Sequence, residues 1–258
     1  MTLTLDSFNR YTSQELAFLT EINEEVEIKL IKEGDIKYIR ATNILKRPDQ
    51  LAEFLSKFPA EDRNKTIFDG GFTENTSSAP GFQQYIKDFY FSSWNKSIFN
   101  IGKDYKLYKY TKCKFDNFTN CCYPGMLAYG KNFLPHTDSF GVAANVYLTD
   151  VPNTYTSFFR IKTKSGRYIH NEFDLKYVSR EDADDLRERY QIYSNEDTWE
   201  DWQEFKGDAF YERYLQIPSE YNSMNMYKGN IWHSITYNSK KSPLRYSLVT
   251  AVIPHMGH

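Results

Sequence analysis

Residues 130–148 read GKNFLPHTDSFGVAANVYL, and Pro135-His136-Thr137-Asp138 within them carries the densest chemical information in the chain. On a strand, residues i and i+2 point to the same face, so His136 and Asp138 can chelate one ion from one side. A third ligand has to come from a neighbouring strand. The candidate is His233, at the end of Gly229-Asn230-Ile231-Trp232-His233. Two imidazoles and one carboxylate on one face of an octahedron leave the other positions open. This is the donor set of a non-haem Fe(II) facial triad, whose open positions take a chelating cosubstrate and O2.

Arg245 follows His233 by twelve residues, across the polar turn Asn238–Pro243. The expectation is that this turn closes a hairpin, leaving His233 and Arg245 on adjacent strands near the same end. Arg245 and Ser247 share one face of their strand by alternation. A guanidinium fork pairs with a carboxylate in bidentate geometry, and a nearby hydroxyl adds a hydrogen bond. Metal and carboxylate anchor then stand about two pleats apart, roughly the length of a five-carbon diacid.

In this order, PHTD at 135–138, GNIWHS at 229–234 and RYSL at 245–248 resemble the motifs of the Fe(II)- and 2-oxoglutarate-dependent dioxygenases, in particular their prolyl-hydroxylase-like branch. ANVYLTDVPNTYTSFF at 144–159 resembles that family's strand-turn-strand segment, with Asn153-Thr154-Tyr155 in place of the usual Gly-Gly before the Thr. The resemblance covers about 106–253. It implies a double-stranded β-helix, or jelly roll, flanked by helices, with His136, Asp138 and His233 as metal ligands and catalytic centre. It further implies that 2-oxoglutarate chelates the iron through its 1-carboxylate and 2-oxo group while its far carboxylate pairs with Arg245. O2 then drives oxidative decarboxylation to succinate and CO2, coupled to hydroxylation of a C–H bond. Tyr129 and Ser247 are expected to hydrogen-bond the cosubstrate and Asn145 to help orient it. Related halogenases replace the metal-binding carboxylate with a small residue, so Asp138 favours hydroxylation.

The expected substrate is an amino acid or amino-acid-like small molecule, with a peptidyl side chain such as proline as the alternative. Two readings of other classes stay open. One is a jelly-roll binding protein that holds metal without catalysis. The other is a cupin-like oxygenase that needs no 2-oxoglutarate, from which Arg245 discriminates.

The flanking sequence supports a mainly β architecture with helices. Tyr108–Lys114, Gly125–Tyr129, Gly141–Leu148, Tyr155–Lys162, Tyr221–Tyr227 and Leu244–Ile253 are β-rich runs separated by turn signals, the pattern of a sandwich or jelly roll. Upstream, Glu27–Leu30 and Ile36–Arg40 are short β-like runs. Helices are predicted from Ser13 to Glu25, over about 48–58 from Leu51, Phe54, Leu55 and Phe58, and from Phe82 to about 97. Residues 178–214 read as a helical insertion, opened by a capping-box-like Ser179-Arg180-Glu181-Asp182. The whole is one domain, 1–258, with 1–105 as helix-rich support and 106–253 as the core.

Its 258 residues suffice to bury most of its apolar surface without a staple. The formal charge of −2 disfavours a nucleic-acid partner. No apolar run spans a bilayer, and no secretory leader is expected at the N-terminus. Cys113, Cys121 and Cys122 are an odd set that suits a reduced, cytoplasmic protein; a zinc site built on them would need a fourth ligand at suitable spacing. The expected partner is a small molecule; a homodimer stays open, with 178–214 as candidate surface. His170, His255 and His258 take the plain reading of surface or terminal histidines. Trp232 reads as a packed core aromatic, and Glu172 with Asp174 as a solvated strand face.

Overall fold

In the computed structural model the described residues are 13–56, 81–83, 92–107, 118–127, 135–137, 141–151, 154–195, 210–237 and 245–254. Helix α1 spans Ser13–Leu19, and the strands β1 (Glu27–Glu33) and β2 (Ile36–Thr42) follow. Helix α2 is Pro48–Ser56, β3 is Gly81–Gln83 and helix α3 is Ser92–Asp104. The strands β4 (Phe118–Leu127), β5 (Val142–Tyr147), β6 (Thr154–Lys162) and β7 (Tyr168–Ile169) come next. A 3-10 helix, Glu172–Tyr177, and helix α4, Arg180–Asn195, precede β8 (Glu212–Pro218), β9 (Ser223–Tyr227), β10 (His233–Tyr237) and β11 (Arg245–Pro254).

The strands form two antiparallel sheets. The larger has the order β1-β2-β9-β5-β11-β4-β3; in the smaller, β6 pairs with β10, β7 and β8. From β4 onward the chain passes back and forth between them: β5 lies in the large sheet, β6 to β8 in the small one, β9 in the large, β10 in the small, β11 in the large.

Alternation sorts the large sheet into two faces. Ile39, Ala41, Val142, Ala144, Val146, Met224, Met226 and Leu248 join one apolar cluster with Leu16 of α1, Leu51 and Phe54 of α2, and Trp94, Ile98 and Phe99 of α3. Burying such a helix stripe against a sheet is what stabilises these short helices, since helices of this length are marginal alone. The opposite face looks at the small sheet. There Ala143 pairs with Tyr227, Asn145 with Asn225 and Tyr147 with both Ser223 and Ser247. Ile36, Tyr38, Ala143 and Tyr227 pack between the sheets with Phe158, Ile217 and Ile231. A further cluster, Phe159, Ile161, Ile169, Phe210, Tyr211 and Trp232, takes Leu186 of α4.

Several expectations are corrected. β10 and β11 lie in different sheets, so His233 and Arg245 are not on adjacent strands of a hairpin; the turn 238–244 lies outside the described residues. Phe82 sits in β3 opposite Met126, and the helix predicted from it starts at Ser92 and runs to Asp104; residues 84–91 lie outside the described residues. The first helix is shorter than its pattern, ending at Leu19. Glu172 and Asp174 stand in a 3-10 helix rather than a strand, because the Asn171 side chain accepts the Asp174 N–H and caps it. The tail of the 178–214 segment is strand from Glu212, not helix. Among the described residues, no helix is long and apolar enough to cross a membrane.

Candidate metal centre

His136 and His233 meet as a mutually hydrogen-bonded antiparallel pair: each backbone N–H donates to the other's carbonyl, at 3.0 and 2.9 Å. Residues directly opposite in such a pair project to the same face. The two imidazoles accordingly lie side by side, centroids 4.6 Å apart and tilted by 51°. His233 is 4% exposed, while His136 is half-buried.

The Nδ1 of His233 is 2.8 Å from the carbonyl oxygen of Ile231. A carbonyl only accepts, so Nδ1 carries a proton, and in the neutral ring the lone pair is then on Nε2. That is the tautomer a metal ligand needs, fixed by a backbone group from behind. The residues present therefore fit a metal ion bound through imidazole. Asp138 lies outside the described residues, and among the described residues no group of three His, Cys, Asp or Glu stands together.

Aromatic rings enclose His233. Tyr227 meets it edge-on at 4.9 Å between centroids, and Phe158 meets Tyr227 at 5.0 Å in a T-shaped contact. The Tyr227 hydroxyl accepts the Nδ2–H of Asn145 at 3.0 Å. So Asn145, predicted to orient a cosubstrate, supports the tyrosine that packs on a histidine. A related polar set lies deeper between the sheets. Tyr147 Oη is 2.8 Å from Thr156 Oγ1 and 3.3 Å from Asn225 Nδ2, and that amide also reaches the Pro218 carbonyl at 3.2 Å.

Register places Arg245 relative to this set. His233 pairs with Phe158; two residues back on β6, Thr156 bonds Tyr147, which is paired with Ser247. Arg245, opposite Leu127, is one pleat further on the same face of β11. The backbone thus stands about two pleats, roughly 13 Å, from the histidine level. Ser247 is buried on that face. Tyr129 lies outside the described residues.

Sequence reasoning passed over Tyr227 and Phe158. The signal was in β9, SMNMY, where Met224 and Met226 face the helices while Asn225 and Tyr227 alternate with them. Polar residues inside a fully buried strand mark the side that looks into an enclosed space. It also gave His170 the plain reading, whereas the ring is half-buried, with Nε2 3.3 Å from Asp35.

No curated protein matches the sequence. Among solved structures, the chain is similar to a Pseudomonas putida prolyl-4-hydroxylase at 10% identity and a TM-score of 0.41, covering 95% of this chain and 97% of that one. It is also similar to SnoN, a non-haem alpha-ketoglutarate-dependent epimerase from nogalamycin biosynthesis, at 14% identity and a TM-score of 0.40, covering 83% and 78%. Superpositions this loose bear on neither activity nor substrate. A family model matches residues 72–245, well over half of the sequence, and the chain belongs to that family, described as a family of unknown function (DUF6445).

Proposed function

We propose that this protein is an Fe(II)- and 2-oxoglutarate-dependent dioxygenase that hydroxylates an unactivated C–H bond, with an amino acid or amino-acid-like molecule as substrate. The observation that carries the reading is the paired His136 and His233, with the lone pair of His233 Nε2 fixed by the Ile231 carbonyl. In this reading the two sheets are the halves of a double-stranded β-helix within a single domain, supported by the alternation of strands between them. His136, Asp138 and His233 hold the iron. Arg245 takes the far carboxylate of 2-oxoglutarate, with Ser247 beside it and Tyr129 as a further donor.

When bound, iron and cosubstrate supply the oxidative chemistry, with succinate and CO2 released. The protein's part is to hold, orient and keep dry. Ile231 fixes the His233 tautomer, and Tyr227 and Phe158 wall the ring from water.

The Asp138→Ala variant is expected to lose 2-oxoglutarate turnover, read as succinate release, with an unchanged unfolding midpoint. Turnover at the wild-type level in that variant would remove the facial triad from the account.

A further inference from the structure

A second polar cluster stands beside the histidine pair. β6 and β8 slip register between Phe158 and Phe159: Phe158 pairs with Leu215 and Phe159 with Arg213, which leaves Tyr214 as the extra residue of a bulge. A bulge re-aims a side chain. Tyr214 packs in the same cluster as Phe158 and Tyr227, the two rings that enclose His233. It also meets His170 edge-on at 5.5 Å. The Arg160 guanidinium lies 3.7 Å over the Tyr168 ring and 5.2 Å from that of Tyr214, with one Nη donating to Glu212 at 2.6 Å. Asp35, at the tip of the β1–β2 turn, closes the cluster through His170 Nε2.

Arg160 Nε, Tyr214 Oη and His170 Nδ1 are buried and have no hydrogen-bond partner among the described residues. Such groups are rare in folded proteins and costly when left so. Their chemistry is complementary. Arg160 Nε–H and the Tyr214 hydroxyl are donors. The Asp35 carboxylate, 3.3 Å from Nε2, favours the tautomer with its proton on that nitrogen, which makes Nδ1 of His170 the acceptor. Burial, with Arg160 nearby, holds the His170 pKa below its ordinary value against the opposing pull of Asp35, which favours the neutral ring.

We propose that Arg160, Tyr214 and His170 recognise the headgroup of a free α-amino acid, the carboxylate held by Arg160 Nε–H and the Tyr214 hydroxyl, the ammonium by His170 Nδ1, with Asp35 at the far nitrogen of the ring. Glu212 neutralises Arg160, and Asp35 adds a negative charge, which selects a zwitterion over a bare anion. Tyr214 and Leu215 are two strands across from His233, roughly 10 Å, a span that a long amino-acid side chain bridges. This deepens the dioxygenase reading, on which it rests for the fate of the molecule but not for its binding.

The test is isothermal titration of the metal-free full chain with each common free L-α-amino acid, and with the N-acetyl and carboxamide derivatives of any that binds. At least one free amino acid binds, both blocked forms bind at least about tenfold more weakly, and Tyr214→Phe and His170→Phe each weaken binding by about tenfold or more. Tyr214→Phe removes an oxygen that bonds nothing in the described protein, so its folding, checked by circular dichroism, is retained. No binding, equal binding of blocked forms, or binding indifferent to Tyr214→Phe overturns the proposal and leaves a cluster bridged by water only. If amino acids bind in this way while the wild-type protein shows no spectroscopic iron–2-oxoglutarate complex, the headgroup site stands and the dioxygenase reading falls.

Discussion

The contact between Asn145 and Tyr227 shows how much of the site rests on single buried atoms. Tyr227→Phe deletes the hydroxyl and leaves the Asn145 amide without that acceptor in a buried place. The expected cost is about 1–3 kcal/mol in urea denaturation. A second residue acts through charge. Asp182 was read as one half of a capping box, and its backbone N–H does donate to Ser179 Oγ at 3.1 Å. Its carboxylate, however, turns to the Ser165 N–H and hydroxyl, at 2.9 and 2.7 Å, pinning α4 to the 163–167 turn. These bonds, led by the backbone N–H of Ser165, hold its pKa below the ordinary carboxylate value. A depressed folded pKa stabilises above the unfolded value, and the stabilisation is lost as pH falls through the folded one. Asp182→Asn therefore lowers the melting temperature at neutral pH and flattens its acid dependence. Parallel melting curves from pH 7 down into the acid range check this; identical curves for the two proteins would contradict it.

At the scale of elements, the helices hold the large sheet through apolar area, with a buried polar tie from α3. Trp94 of α3 donates Nε1–H to Thr250 Oγ1 of β11 at 2.8 Å in the core. Thr250→Val keeps the shape but strands a buried donor, and about 1–3 kcal/mol of stability is expected to go, read as a lower denaturation midpoint at unchanged slope. The entry to β9 is fixed by Asn222, at φ 50°, in the left-handed region. Its side chain accepts the Leu45 N–H at 2.9 Å and donates to the Asn43 side chain and the Leu45 carbonyl. Asn222→Ala loses all three bonds and strains the backbone, for an expected loss of about 3 kcal/mol in the same assay.

Across the whole molecule, what could be read from the sequence was local chemistry and period. α2 was legible because Leu51 and Phe54 repeat at helical spacing and are buried on one face. β5 and β6 were legible from their apolar runs between turns. His233 was read as the candidate ligand from a neighbouring strand, and the antiparallel bridge sets it directly opposite His136. The path of the chain between sheets was not legible. A polar turn after β10 looks the same whether it closes a hairpin or crosses to the other sheet, so the relation of His233 to Arg245 was misread. Phe82 was misread for a similar reason: aromatic residues fit helix and strand alike, and pairing with β4 decided it. The Arg160–Tyr214–His170 cluster was invisible because a bulge and a distant hairpin tip assemble it.

The central claim, that His136, Asp138, His233 and Arg245 jointly hold iron and 2-oxoglutarate, is tested most directly by anaerobic titration of the metal-free protein with Fe(II) and then 2-oxoglutarate, followed in the visible spectrum. The account predicts a weak charge-transfer band that requires both additions, is absent in His233→Ala and is lost in Arg245→Ala. Folded protein that binds no iron, or iron-loaded protein that gives no band with 2-oxoglutarate, would contradict it.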